Sequence, residues 1–141
     1  MGADAPNRLP DAICEVLANA DRFELLSLEP AGGPTEEAGH FWGWRVIGSV
    51  VVTATDRDAL LSALERGIAE NGGWVAACFI PRHGILAARG ASSIDLVVCF
   101  ECAQVYLYQD GRWAGSVLVA GSPQPLFDQV LSAAGVQLAG A

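Results

Sequence analysis

The chain has 141 residues, 16 acidic against 8 basic, a net charge of −8 and a hydrophobic fraction of 52%. That length suits one domain over 1–141, and the apolar share can fill a core without disulfides or metal. The acidity excludes phosphate-backbone binding, which needs clustered positive charge, and docking on an anionic bilayer surface. All eight basic residues are arginine, which fits a GC-rich genome.

Residues 1–7 read as a loose tail. No apolar run follows a basic segment at the start, and no stretch is long enough to span a bilayer. The cytoplasm is the expected compartment, although a chain stripped of an export signal would read the same. Pro10, Asp11 and Glu15 suit a helix start, with Ile13, Val16, Leu17 and Ala20 as its apolar stripe. Phe23–Leu28 reads as a short strand, and 30–39 as a loop rich in Gly and Pro. A long strand is expected over 41–54, with Gly43 and Gly48 marking bulges or close packing.

Thr55, with Asp58 three residues on, is the expected cap of a helix carrying Leu60, Leu61, Leu64 and Ile68. Asn71-Gly72-Gly73 ends it. Strands are then expected over 74–80, 85–89 and 94–108, and Asp110-Gly111 turns the chain into another over 112–120. Ser122 and Pro123 open a last helix that buries Leu126, Phe127, Val130 and Leu131. The hairpin signals predict an α+β fold, with a mainly antiparallel sheet of five or six strands against about three helices.

The chemistry concentrates in Cys78, His83, Cys99 and Cys102. Soft ligands at such short spacings suit a zinc-type metal site, in which these four would form a tetrahedron. With four ligands the site would be closed and structural; with three it would hold an open position. A hairpin turn centred on Ala91 and Ser92 would pair residues whose numbers sum to about 183, bringing His83 and Gly84 beside Cys99 and Phe100. A bulge between 101 and 104 would turn both thiols of Cys99-Phe-Glu-Cys102 to one side.

Three other readings stand beside the metal one. The cysteines are core residues of a non-catalytic module that meets a protein partner. Cys99 and Cys102 are a redox pair, although they fall in an expected strand and not at a helix N-terminus. A Cys–His nucleophile would use Cys78 or Cys99 with His83, oriented by Glu101 or Asp95. Trp42 and Trp44, on one face of the expected strand, would form an aromatic core corner or a stacking platform. Arg82 would bind an anion or pair with a surface carboxylate.

Ala77-Cys-Phe-Ile-Pro-Arg-His-Gly-Ile85, Asp95-Leu-Val-Val-Cys-Phe-Glu-Cys102 and Gly121-Ser-Pro-Gln-Pro125 together resemble a pattern in small bacterial proteins of unassigned function. The resemblance implies that Cys78, Pro81, His83, Gly84, Cys99 and Cys102 belong to one unit.

Overall fold

The computed structural model describes residues 6–37 and 39–140. In chain order the elements are α1 (Asp11–Ala18), β1 (Arg22–Glu29), β2 (Arg45–Val51), α2 (Ala54–Glu70), β3 (His83–Arg89), β4 (Ser92–Cys99), β5 (Gln104–Gln109), β6 (Arg112–Leu118) and α3 (Gln124–Ala133). The six strands form one sheet in the order β2-β1-β3-β4-β5-β6, and each neighbouring pair is antiparallel. The fold is α+β, as the hairpin signals predict.

Alternating side chains give the sheet two faces. Phe23, Leu25, Ile85, Ala87, Ile94, Leu96, Val98, Val105, Leu107 and Val117 point to the first face. There they pack against Ile13 and Leu17 of α1, Leu60, Leu61, Leu64 and Ile68 of α2, and Phe127 and Leu131 of α3. Each of these helix side chains lies at i, i+3, i+4 or i+7 spacing, so one stripe per helix is enough to seal this face. The second face carries Leu26, Leu28, Leu86, Val97, Tyr106 and Tyr108, and loops cover it with Phe41, Trp42, Trp44 and Phe79. Gly84 makes this cover close-fitting: a Cβ there would stand 2.8 Å from Phe41 Cε2.

Local signals explain most boundaries, and some fall elsewhere than expected. Thr53, not Thr55, caps α2; its Oγ1 accepts from Asp56 N at 3.1 Å. Ser122 does not cap α3, whose flanking residue is Pro123. Ser122 Oγ instead donates to the Glu70 carboxylate. Asp110 and Gly111 take φ of 51° and 78°, the pair of positive values that a two-residue hairpin turn needs. The expected bulge near Gly48 is present, since the register shifts between Ser27 and Leu28 opposite Gly48 and Val46.

Three expectations are corrected. The segment expected as a strand over 74–80 has no ladder; residues 71–82 form an irregular strap. The strand expected over 94–108 is two strands, broken by a turn over 100–103 in which Ala103 takes φ 61°. The long strand expected from 41 begins only at Arg45, because Phe41 to Trp44 form a tight turn with Trp42 at φ 51°. Of the expected tail, residues 1–5 lie outside the described residues. Asn7 is anchored: its side chain donates to Leu118 O at 2.8 Å and accepts from Leu118 N at 2.8 Å. That exchange imitates a neighbouring strand at the end of β6.

Candidate functional site: a paired-thiol turn under a strap

Cys99 is the last residue of β4, and Cys102 lies in the turn that leads to β5. The turn brings their Cα atoms to 5.2 Å, and the two sulfurs are joined as a disulfide. This position, a tight reversal between strands, resolves the parity slip in the sequence. Cys99 lies on the strand and Cys102 in the reversal, so both thiols reach one side without a bulge.

Backbone N–H groups address both sulfurs. Cys102 N donates to Cys99 Sγ at 3.1 Å, and Ile80 N donates to Cys102 Sγ at 3.2 Å. A second strap bond runs from Ala76 N to Cys102 O at 3.0 Å. The strap therefore lies across Cys102 and is held there at two points. Phe79, between them, stacks on Tyr106 of β5 at 3.9 Å between ring centres. Under this cover Cys99 and Cys102 are 1% and 0% exposed, whereas Cys78, on the strap itself, is exposed.

His83 stands apart from the thiols, and the pleat explains why. His83 pairs with Val98 across the β3–β4 ladder, and cross-strand partners share a face. Cys99, the next residue along β4, points to the opposite face. The turn falls on Gly90 and Ala91, so the register is two less than expected, a shift that preserves this parity. His83 is instead buried on the helix side among the ring edges of Phe100 and Phe127. Its Nε2 lies 2.7 Å from Asp128 Oδ1 of α3. Burial lowers the imidazole pKa below its usual 6.5, while the hydrogen bond and charge of Asp128 pull the other way.

Nδ1 of His83 has no hydrogen-bond partner among the described residues. His83 also borders a cavity of about 60 Å³ lined by Ser27, Arg82, Gln124, Asp128 and Leu138. Ser27 faces His83 across the β1–β3 ladder, but its Oγ donates to Gln137 O at 2.7 Å.

The remaining sequence candidates are placed as follows. Arg82 pairs with Glu101 at 3.2 Å and donates to Gly140 O at 3.2 Å, which is the carboxylate pairing and not an anion site. Neither Glu101 nor Asp95 orients the imidazole; Asp128 does. Asp95 accepts from Trp42 Nε1 at 2.8 Å, and burial raises its pKa against that bond. Trp42 stacks on Tyr108 at 3.7 Å, and Trp44 is buried, so both belong to an aromatic corner. Cys14 sits in α1 on the helix side, away from the thiol pair.

Of the four expected ligands, the structure brings Cys99 and Cys102 together, carries Cys78 on the strap above them, and separates His83 by the thickness of the sheet. Among the described residues no group of three or more His, Cys, Asp or Glu side chains is arranged to hold a metal ion. In this conformation the donor set does not fit zinc: two thiols are bonded to each other and the imidazole is bonded to Asp128. Two partners were not legible in the sequence. Asp128 lies on the exposed-looking side of a helix pattern, and Ile80 acts through its backbone, which no side-chain motif reports. Among the described residues no helix is long and apolar enough to cross a membrane.

No family model matches the chain, and no curated protein or solved structure matches it either.

Proposed function

We propose that the protein is a thiol redox protein whose Cys99–Cys102 pair alternates between disulfide and dithiol. In the reductive direction, two electrons and two protons from an external dithiol convert the disulfide to two thiols, and the dithiol leaves as a disulfide. The observation that carries this reading is the pair of N–H groups aimed at the two sulfurs. A hydrogen bond to the charged form favours it, so these groups are ready partners for the thiolates that reduction creates.

The size of the loop supports exchange over stapling. Only four residues, 99–102, are closed by the bond. The chain-entropy relation assigns such a loop about 2 kcal/mol, near the low end for disulfides. A bond placed mainly for stability would gain more by closing a longer loop.

The test is a native-state redox titration in glutathione buffers, read by alkylation and peptide mass. A reversible two-electron transition at Cys99 and Cys102 is expected. A disulfide that yields to reductant only after the protein is unfolded would mark a structural staple and end the redox reading. Elemental analysis of the reduced sample examines the zinc reading in parallel. One bound equivalent, lost on Cys99→Ser, would turn the thiols into ligands.

A further inference from the structure

The redox reading leaves a problem of access. Thiol–disulfide exchange requires the attacking sulfur to reach a disulfide sulfur along the S–S axis. Cys99 and Cys102 are 1% and 0% exposed beneath the strap, so an external thiol has no direct approach. Cys78 is exposed, and it lies midway between the strap's two tethers to Cys102, at Ala76 and Ile80. It is two residues from each tether, so its Cα stays within about 7 Å of each tethered Cα.

We propose that Cys78 is the relay thiol, carrying exchange between external dithiols and the buried Cys99–Cys102 disulfide. This rests on the redox reading and names the residue through which that chemistry enters. The Cys78 thiol first loses its proton to solvent. Its thiolate attacks Cys102 Sγ, forming a Cys78–Cys102 bond and breaking the Cys102–Cys99 bond. Cys99 leaves as a thiolate and takes a proton from solvent. No electron is gained or lost in this step. An external dithiol then attacks the exposed Cys78 sulfur and frees Cys102. Its second thiol closes on the first and releases Cys78. The sum is one dithiol oxidised and one protein disulfide reduced.

The movement this requires falls on the strap. It belongs to no ladder over 71–82, so the approach of Cys78 breaks the single bond from Ile80 N to Cys102 Sγ and leaves the sheet intact. Attack at Cys102 rather than Cys99 follows from the tethers, both of which end on Cys102.

The experiment follows reduction of the native protein by dithiothreitol, with acid quenching, alkylation and peptide mapping. Cys78→Ser should slow reduction of Cys99–Cys102 by about tenfold or more while leaving its end point unchanged. Cys99→Ser, gently oxidised, should accumulate a Cys78–Cys102 disulfide. Reduction of Cys78→Ser at the wild-type rate, or no Cys78–Cys102 bond in Cys99→Ser, would overturn the relay while the redox reading stands. A wild-type disulfide inert to dithiothreitol until unfolding would remove both.

Discussion

The two faces of the sheet are covered in different ways. Three amphipathic helices seal one face with aliphatic and phenyl side chains that are almost wholly buried. Loops cover the other with Phe41, Trp42, Trp44 and Phe79, and leave Trp113, beside Tyr106 and Tyr108, exposed at 57%. Helix stripes are held by many contacts at once, so they resist local opening. The middle of the strap is held over Cys102 by two N–H bonds and the Phe79 stack, while Asn71 and Arg82 fix its ends, and so short a hold opens at a small fraction of the global stability. The paired thiols lie on the loop-covered face and the histidine on the helix-covered one. The exchange proposed for the disulfide would thus fall on the side where movement costs least.

The largest effect that separates the faces should come from paired truncations. Phe127→Ala empties a fully buried site under α3 and should cost about 3–5 kcal/mol in denaturant unfolding. Phe79→Ala removes a half-buried ring, its stack on Tyr106 and its contact with Trp44, and should cost roughly 1–2 kcal/mol. The smaller change should also speed disulfide reduction, because it frees the strap. Equal costs, with no change in reduction rate, would break the distinction between a rigid and a mobile face.

A smaller effect concerns the buried histidine. Burial lowers the folded-state pKa of His83, so below about pH 6.5 the unfolded chain binds a proton that the folded chain refuses. Stability is therefore full above the unfolded pKa and falls as pH drops below it. Unfolding midpoints should decline as pH drops below that value in the wild type and stay flatter in His83→Phe. Parallel curves would mean that the Asp128 bond offsets burial completely.

The smallest effect is expected at Asp95, on the loop-covered face. Burial raises its pKa, so at neutral pH the folded state bears a partly desolvated charge. Asp95→Asn keeps an acceptor for Trp42 Nε1 and removes that charge. It should stabilise the protein slightly at pH 7, and the gain should vanish in acid, where Asp95 itself is neutral. A destabilised Asn variant at pH 7 would show that the charge strengthens the indole bond more than burial penalises it.

The difference between the faces also explains how much of the molecule was readable. The helix-covered face repeats its signal: Ile13 with Val16 and Leu17, and Leu60 with Leu61, Leu64 and Ile68, keep helical spacing, while Ile94, Leu96 and Val98 alternate. The loop-covered face has no period. Val75, Cys78, Phe79 and Ile80 have strand-like composition, yet Pro81 cannot donate to a ladder, and the strap's N–H bonds go to Cys102 instead. The turn at 100–103 lacks glycine and proline, so nothing punctuated the run from Ile94 to Tyr108. Ala103 takes the left-handed conformation that glycine would have announced.

At the site, the sequence by itself determined that the Cα atoms of Cys99 and Cys102 lie within about 11 Å of each other, since three residues span no more, but not the turn that brings them to 5.2 Å. It also determined the three helices, the Asp110-Gly111 hairpin and the antiparallel class, because each follows from local periodicity or turn chemistry. Tertiary structure alone decided that His83 and the thiols stand on opposite faces. That depends on pleat and register, where one residue along a strand reverses every side chain. It alone paired His83 with Asp128 and tied Ala76 and Ile80 of the strap to Cys102. Those contacts join segments far apart in the chain, which only the closed sheet and its packed helices bring together.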